Sequence, residues 1–415
     1  MHHRATDDLR VDEYDAYLDD SRRREIREAA AGLDDLRVAH VNSTASGGGV
    51  AEILDSLVPL LNDAGVETDW LVMEAPESFF DVTKALHNGL QGEAGELTDS
   101  MRDTYRSVTE ANAEADLPGY DAVVLHDPQS LGMAPVLAER FPETALVWRC
   151  HIDLTDATTP YLEFVTSYLD PIDRAIFTLP EYAAGVEGVE TDVVHPAIDP
   201  LAEKNCPLAE LSDEAAAAAD LDRHPFDADR PLVAQVSRFD PWKDPLGVVE
   251  AYREATASVP EAQLALVGAM PDDDPEGKEV YREVEAATDD DPDVHLLTDL
   301  PDASINAIQR GADVVLQKSL REGFALTVSE ALWKETPVVG TDVGGIPLQV
   351  EDGVDGFLND PADVDATADS VAELLSDDAM RRQFGSRGRQ RVRERFLTPR
   401  LLSDHLAVLS RAIGR

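Results

Sequence analysis

Hydrophobic and polar positions form two long series of short apolar runs that alternate with amphipathic segments. In the first half, runs typical of buried strands lie at 36–43, 69–74, 120–127, 144–151, 174–180 and 192–198. The segment after the first run has helical spacing of its apolar residues Val50, Ile53, Leu54, Leu57, Val58 and Leu61. In the second half, strands are predicted at 231–238, 262–269, 294–299, 313–319 and 336–341. This alternation predicts an α/β fold with a parallel, doubly wound sheet in each half.

The two series divide the chain into two Rossmann-like domains, as expected for 415 residues, which are too many for one ordinary core. The predicted parts are a helical lead-in at 1–34, an N-terminal domain at 35–200, a proline- and alanine-rich linker at 201–230, a C-terminal domain at 231–395 and a basic helical tail at 396–415. Ligands of such sheets bind at the carboxyl ends of strands and between domains, so we expect a cleft that both domains face.

The chain is strongly acidic. It has 83 Asp and Glu against 35 Lys and Arg, a formal net charge of −48. Such a charge makes a protein repel itself, and salt at about 1 M screens that repulsion to within about 3 Å. We therefore interpret the acidity as adaptation of a halophile to a salty cytoplasm. It argues against nucleic acid as a partner, because phosphate binding needs basic surface. Only six of the basic residues are lysine, so each lysine is a stronger indication of function than usual.

Compartment is indicated by the apolar runs and the cysteines. No run reaches the roughly 18 apolar residues of a membrane span, and the first ten residues lack the apolar core of a secretion signal. Cys150 and Cys206 are the only cysteines, which fits a reducing compartment and excludes a cysteine-rich zinc site. We expect a cytoplasmic protein that does not bind membranes.

The first candidate site lies in S-R-F-D-P-W-K at 237–243. Arg238 ends a predicted strand, where side chains point toward the ligand crevice, and Lys243 follows in the next loop. A guanidinium and an ammonium together suit a diphosphate. The alternative is a surface pair that balances the neighbouring aspartates.

The second candidate is R-E-G-F-A-L-T-V-S-E at 321–330, between a predicted strand and a helix. The backbone amides of 324–326 would form an anion site at the helix N-terminus, and Gly323 would let a ligand approach the backbone closely. Glu322 and Glu330 flank that site, so the stretch suits a ligand with both phosphate and hydroxyl groups, such as a sugar nucleotide. Helix capping and salt-adapted surface acidity are the alternative for either glutamate.

Weaker candidates lie in the N-terminal half. The glycine-rich turn V-N-S-T-A-S-G-G-G-V at 41–50 is of a type that cradles phosphates, but it lacks the G-x-G-x-x-G of NAD enzymes. His151 ends a strand and could hydrogen-bond a sugar hydroxyl or polarise a reacting group, or be structural. His126 and Asp127 also end a predicted strand, and the same functional and structural interpretations apply to them. The sequence contains no H-E-x-x-H, no G-K-[ST] after a glycine loop and no G-x-S-x-G.

These motifs together resemble one family. G-G-G-V, His151, S-R-x-x-x-x-K and E-G-F-x-L-x-x-x-E are similar to motifs of the retaining GT-B glycosyltransferases of glycosyltransferase family 4, over about 36–400. The resemblance implies an N-terminal acceptor domain, a C-terminal nucleotide-sugar domain and a C-terminal helix that crosses back to the N-domain. Within that family, F-F-D-V-T-K-A-L-H-N-G-L-Q-G, H-D-P-Q, W-R-C-H-I-D and L-Q-K-S-L-R-E-G-F resemble the trehalose glycosyltransferring synthases.

The resemblance implies a retaining glucosyltransferase that joins glucose from ADP-, UDP- or GDP-glucose to free glucose and so makes trehalose. Retaining trehalose phosphorylases of fungal type look like relatives. A phosphorylase, a transferase with another sugar acceptor, and a sugar-nucleotide sensor without turnover therefore remain alternatives. The same branch suggests a homodimer.

The family's site residues can be carried over where the motifs match. Arg238 and Lys243 would bind the donor diphosphate and stabilise the departing nucleotide. Glu330 would hold the ribose, Glu322 the donor glucose, and His151 would lie near the reacting carbon. Further backbone contacts to the glucose are expected at Gly323, Phe324 and Ala325. Glycines expected under the diphosphate and acceptor are Gly48 and Gly49. Less specific candidates for the acceptor are Asp127, Gln129, Asp153, Lys84 and Asn88.

Retention in this family is described as front-face substitution without an enzymic nucleophile. The leaving diphosphate itself would take the acceptor's proton. Because Arg238, Lys243 and helix dipoles would neutralise the diphosphate, we expect no metal site and no cofactor.

Overall fold

The chain folds into two units. The computed structural model describes residues 1–6, 8–34, 36–46, 48–269 and 275–414. The first unit comprises Met1–Ala197 together with the C-terminal residues from Thr398 onward, and the second comprises Ile198–Leu397. In the part of the chain that is described, no helix is both long and apolar enough to cross a membrane.

The first unit is built on one sheet. Its strands are β1 (His2–His3), β2 (Arg37–Asn42), β3 (Glu67–Val72), β4 (Ala122–His126), β5 (Ala145–Arg149), β6 (Arg174–Phe177) and β7 (Glu190–Val193). Their order is β1-β3-β2-β4-β5-β6-β7. Only β1 is antiparallel to its neighbour among these strands. The strand order reverses between β2 and β4, and sheets of this kind bind ligands at that point.

Helices cover this sheet. They are α1 (Asp20–Ala30), α2 (Gly49–Asp63), α3 (Glu77–Leu90), α4 (Asp99–Ala113), α5 (Asp127–Leu131), α6 (Ala134–Arg140) and α7 (Thr159–Thr166). The helical spacing predicted for α2 is confirmed, since Leu54, Leu57 and Leu61 are fully buried. Strands β2, β4 and β5 are buried over nearly their whole length, as expected for a sheet covered on both faces.

The second unit has an all-parallel sheet in the described residues. Its strands are β8 (Leu232–Val236), β9 (Gln263–Gly268), β10 (Val294–Thr298), β11 (Val314–Gln317), β12 (Val338–Thr341) and β13 (Gly356–Asn359), in the order β10-β9-β8-β11-β12-β13. Its helices are α8 (Asp213–Ala218), α9 (Pro245–Ala255), α10 (Pro275–Thr288), α11 (Asp302–Gly311), α12 (Leu326–Trp333), α13 (Ile346–Gln349), α14 (Val364–Ser376) and α15 (Asp378–Arg395). This is the strand order of a Rossmann fold, with its reversal between β8 and β11.

The last helix, α16 (Thr398–Ala412), belongs to the first unit and packs on α1 and α2. Arg400 fixes its start, because its Nη2 donates to the backbone oxygens of His195 (2.7 Å) and Pro196 (2.9 Å). The predicted return of the C-terminal helix to the N-terminal domain is thus seen, from Thr398 rather than 396.

Several predicted boundaries differ from the structure. The segment 201–230 is not a free linker, because it lies in the second unit and packs on α11. Asn306 Nδ2 on that helix donates to the backbone oxygens of Glu203 and Cys206, both at 2.8 Å. Proline and alanine content alone does not reveal this packing. Strand β7 ends at Val193, earlier than the predicted run, and the short strands β1 and β13 were not predicted.

Candidate active site

The predicted donor site lies at the strand-order reversal of the second unit. Arg238 follows β8, and Lys243 lies in the short helical turn Pro241–Lys243 before α9. The loop 318–325 follows β11, the neighbouring strand across the reversal. The two sequence motifs that were predicted separately are therefore adjacent in space.

Lys243 and Glu322 form an ion pair in which Nζ contacts Oε2. Ser319 Oγ also donates to that carboxylate oxygen, at 3.2 Å. The side chain of Glu322 is 9% exposed and that of Lys243 is 19% exposed. Arg238 differs, because its side chain is 62% exposed and its ion pair within the described residues is with Asp240, at 3.4 Å. The structure thus pairs Lys243 with Glu322. The guanidinium of Arg238 is exposed and can contact a ligand.

A second ion pair at this edge was not predicted. The buried Lys318 Nζ contacts Asp244 Oδ2, and it also donates to the backbone oxygen of Pro361 at 3.0 Å. Asp244 has a left-handed backbone (φ 45°) and caps α9 by accepting from the N–H of Gly247. A Cβ at Gly247 would lie 2.1 Å from the Asp244 carboxylate, so any other residue there would displace that carboxylate from its place beside Lys318.

The loop before α12 is held by specific contacts. Gln349 Nε2 donates to the backbone oxygen of Phe324, while Gln349 Oε1 accepts from Ser329 Oγ at 2.5 Å. Ala325 has a left-handed backbone (φ 65°) and precedes the helix. A Cβ at Gly345 would lie 2.8 Å from the Gly323 oxygen, so glycine there lets α13 approach the loop. The side chain of Phe324 is buried, which leaves its backbone as the part available to a ligand.

Glu330 is a buried carboxylate, with 1% of its side chain exposed. Lys204 Nζ lies 3.3 Å from one of its oxygens, and Gln309 Nε2 donates to the other at 3.4 Å. Gln309 is itself oriented by Lys334, whose Nζ donates to Gln309 Oε1 at 2.6 Å and to Asn205 Oδ1 at 3.0 Å. Burial lowers the pKa of Lys334 to about 7, and the charge of Glu330 opposes that shift. A buried charge needs such partners, so Glu330 is not an ordinary surface acid.

Lysine scarcity could have revealed these missed residues. Lys204, Lys318 and Lys334 contact acids or polar groups around the same site, yet among the lysines of the second unit only Lys243 was singled out from the sequence. Applied to every lysine, the same reasoning would have found them. Gln309 has no comparable signal, because its role depends on α11 packing beside α12.

Predicted residues of the first unit flank its own strand-order reversal, where Gly48 follows β2 and Asp127 follows β4. Gly48 is exposed, has φ 131° and precedes α2, which begins at Gly49. Gly47 lies outside the described residues. On the other side of the reversal, Asp127 Oδ1 accepts from the backbone N–H of His151 at 2.7 Å. Burial raises the pKa of Asp127 to about 6, opposed by that hydrogen bond and by Arg149.

His151 belongs to a chain of three histidine rings. Its Nε2 lies 3.3 Å from His126 Nδ1, and His126 Nε2 lies 2.9 Å from His40 Nδ1. His126 ends β4 and His40 lies in β2, so adjacent strands hold the rings together. His151 and the pair at 126–127 could be singled out from the sequence because they lie at strand ends. His40 was missed because it lies inside a strand, where nothing in the sequence distinguishes it from a core residue.

The other acceptor candidates are spread over three elements. Gln129 lies in α5, and its buried Oε1 has no hydrogen-bond partner within the described residues. Asp153 lies in the loop after β5 and accepts from the Thr155 N–H at 2.9 Å. Lys84 and Asn88 lie one turn apart on α3, which packs on α5. Across the described residues, no group of three His, Cys, Asp or Glu side chains is arranged to hold a metal ion.

Comparison with known families agrees with this two-part layout. Residues 40–184 match the family described as "Trehalose synthase, N-terminal domain", and residues 218–391 match "Glycosyl transferases group 1". An UDP-forming trehalose-phosphate synthase from Burkholderia xenovorans has a similar fold, with a TM-score of 0.73 and 15% identity over 91% of this chain and 99% of that chain. The protein is a glycosyltransferase with the GT-B fold, so the predicted fold class is confirmed.

Full-length relatives define the family more closely. A trehalose synthase from Rubrobacter xylanophilus is 44% identical over 402 residues, which cover 94% of each chain. A trehalose phosphorylase from Pleurotus pulmonarius is 29% identical over 413 residues, covering 86% of this chain and 54% of the relative. The chain belongs to the trehalose synthase family.

Proposed function

We propose that this protein transfers glucose, with retention of configuration, from a nucleotide donor to free glucose and so forms trehalose. The observation that carries the proposal is the convergence at one strand-order reversal of Arg238, the Lys243–Glu322 ion pair and helix α12, which bears Glu330. The identity of 44% to a trehalose synthase supports the choice of reaction.

The open Arg238 and the nearby Lys243 suit the donor diphosphate, because both charges can face phosphate oxygens. Glu322 can accept hydrogen bonds from glucose hydroxyls, aided by the backbone of 323–325. Glu330 can accept from the ribose hydroxyls. In this structure its two oxygens contact Lys204 Nζ and Gln309 Nε2.

In the proposed reaction, the glycosidic C1–O bond to the diphosphate breaks and the acceptor's hydroxyl bonds to C1 from the same face. The departing diphosphate oxygen takes the hydroxyl proton. Arg238 and Lys243 stabilise the charge that develops on the diphosphate. His151, Asp127 and the glycines at 48–49 are proposed to line the acceptor and reacting carbon, with Gln129, Asp153, Lys84 and Asn88 as further acceptor contacts.

We also propose that the reaction needs no metal, because two basic side chains and the N-terminus of α12 supply positive charge to the diphosphate. Activity that is lost with EDTA and restored by Mg²⁺ would overturn this part of the proposal.

The test is incubation of the full chain in concentrated KCl with UDP-, ADP- or GDP-glucose plus glucose. We expect a non-reducing disaccharide that trehalase cleaves to glucose. Failure to form trehalose from every nucleotide donor would contradict the proposal. Replacing glucose by glucose 6-phosphate in a parallel reaction identifies a phosphorylated acceptor.

The second candidate is a retaining trehalose phosphorylase, favoured by the Pleurotus pulmonarius relative. It would release glucose 1-phosphate from trehalose when inorganic phosphate is supplied. Formation of glucose 1-phosphate without added nucleotide would select this candidate over the synthase.

A further inference from the structure

The three-histidine chain in the first unit extends inward from His151. His40 is fully buried and His126 is 2% exposed, while His151 is half-buried. The two ring–ring contacts, His151 Nε2 to His126 Nδ1 and His126 Nε2 to His40 Nδ1, measure 3.3 and 2.9 Å. Each contact needs one proton between its two nitrogens to be a hydrogen bond.

The pKa values of the three histidines limit how many protons their rings carry. Burial is the main cause that lowers the pKa of all three rings, to about 3 for His40. The positive charge of Arg149 adds to this effect at His126 and His151. Each ring is therefore neutral, with one N–H donor and one bare nitrogen. A neutral His126 donates to one neighbour and accepts from the other, so only two arrangements make both hydrogen bonds.

The inner end of the chain distinguishes these two arrangements. His40 Nε2 is buried and has no hydrogen-bond partner within the described residues. If it carried the proton, a buried N–H would be unpaired, which is rarer in proteins than an unpaired acceptor. The favoured arrangement therefore places the proton on His40 Nδ1, which donates to His126 Nε2. His126 Nδ1–H then donates to His151 Nε2.

We propose that His40 and His126 are positioning residues that hold His151 as its Nδ1–H tautomer, so that His151 presents a hydrogen-bond donor to the bound sugar. This rests on the proposed function, in which His151 lies near the reacting carbon. In this tautomer Nδ1 donates and Nε2 is occupied, so His151 does not act as the base for the acceptor hydroxyl. That agrees with a leaving diphosphate that takes the proton itself.

The direct test is two-bond 1H–15N NMR of the full chain with ring-15N-labelled histidine. The signals of His151 are identified by their loss in His151→Gln. We expect a protonated Nδ1 and a bare Nε2 on His151, and the opposite pattern would overturn the proposal. This measurement needs no turnover, so it can fail or succeed independently of the trehalose assay.

Two variants separate positioning from packing. His126→Leu removes the donor to His151 Nε2, and we expect the ring to move toward the Nε2–H tautomer with kcat falling about tenfold, the value of one hydrogen bond. His126→Asn keeps an amide where Nδ1 was, and it should keep both the Nδ1–H tautomer and most of kcat. An unchanged His151 tautomer in a folded His126→Leu variant would overturn the proposal. If that variant does not fold, the wild-type and His126→Asn spectra still decide between the two tautomers.

Discussion

Glu322 shows how a single acid can be distinguished among the many acids of this chain. Its side chain is 9% exposed and has both an ammonium and a hydroxyl as partners. Asp289 is chemically similar, but it lies exposed after the end of α10. The two carboxylates differ in where they lie and in how exposed they are. Removing the charge of each therefore compares a site acid with a surface acid.

We predict that Glu322→Gln lowers kcat/KM for trehalose formation by one to several orders of magnitude. The amide has the same volume as the carboxylate, but it lacks the negative charge that pairs with Lys243 and strengthens hydrogen bonds from the sugar hydroxyls. Such transition-state contacts are worth roughly 3 kcal/mol or more. Steady-state kinetics in concentrated KCl measure the effect. Asp289→Asn is the control and should leave kcat/KM unchanged. Equal losses in both variants would show that Glu322 is no more than another acid of the surface.

For single residues, the sequence predicts which side chains belong to the site better than it predicts which side chains contact each other. Arg238, Lys243 and Glu322 could be singled out because each lies in a motif at the end of a strand. Lys318 could have been singled out by lysine scarcity but not paired with Asp244, and Gln309 could not be singled out at all, since these contacts depend on which strands and helices become neighbours. In the loop before α12, the residue with a left-handed backbone is Ala325. The sequence had instead suggested Gly323 as the residue whose backbone conformation matters.

Helix α12, which carries Glu330, ends in a turn that normally requires glycine. The N–H of Glu335 donates to the oxygen of Leu332 at 3.0 Å, and the N–H of Thr336 donates to that of Ala331 at 3.1 Å. These two bonds define a Schellman motif, whose left-handed residue is usually glycine. Here it is Glu335, with φ 65°.

We predict that Glu335→Gly is more stable than Glu335→Ala by about 1 kcal/mol, because glycine avoids the left-handed penalty of a Cβ. Both variants lose the exposed ion pair with Arg389, so the comparison isolates the backbone. Chemical denaturation of the two variants measures the difference in the free energy of unfolding. At Glu373, exposed inside α14, the same pair of substitutions should show the opposite order, with alanine more stable. The same order at both positions would contradict the explanation.

At the scale of elements, the long buried strands were predictable because uninterrupted apolar runs are typical of a covered parallel sheet. Strands β1 (His-His) and β13 (Gly-Phe-Leu-Asn) were not, since neither lies in an uninterrupted apolar run. The segment 201–230 was misjudged for a related reason. Its residues Glu203, Cys206 and Ala218 contact α11 through their backbone oxygens, which composition does not report.

For the whole molecule, the excess of acids is too large for internal pairing to remove. The formal net charge of −48 remains even if every Lys and Arg is paired with an acid. Several of the few lysines are held in the second unit by Asp244, Glu322 and Glu330. Repulsion between the remaining acids therefore acts against the folded state, and it depends on the salt concentration.

We predict that the free energy of unfolding rises when KCl increases from about 0.1 M to about 1 M, because the screening length falls from about 10 Å to about 3 Å. Denaturation by urea, which is uncharged, measures this at each salt concentration. Salt also strengthens apolar burial, so the charge effect needs its own control. A variant with Glu283→Lys, Asp289→Lys and Asp290→Lys, all at exposed positions, has less repulsion but nearly the same apolar surface. It should gain less stability from KCl than the wild type. An equal gain in the two proteins would mean that the salt acts through apolar burial and that the acidity is not what makes the fold depend on salt.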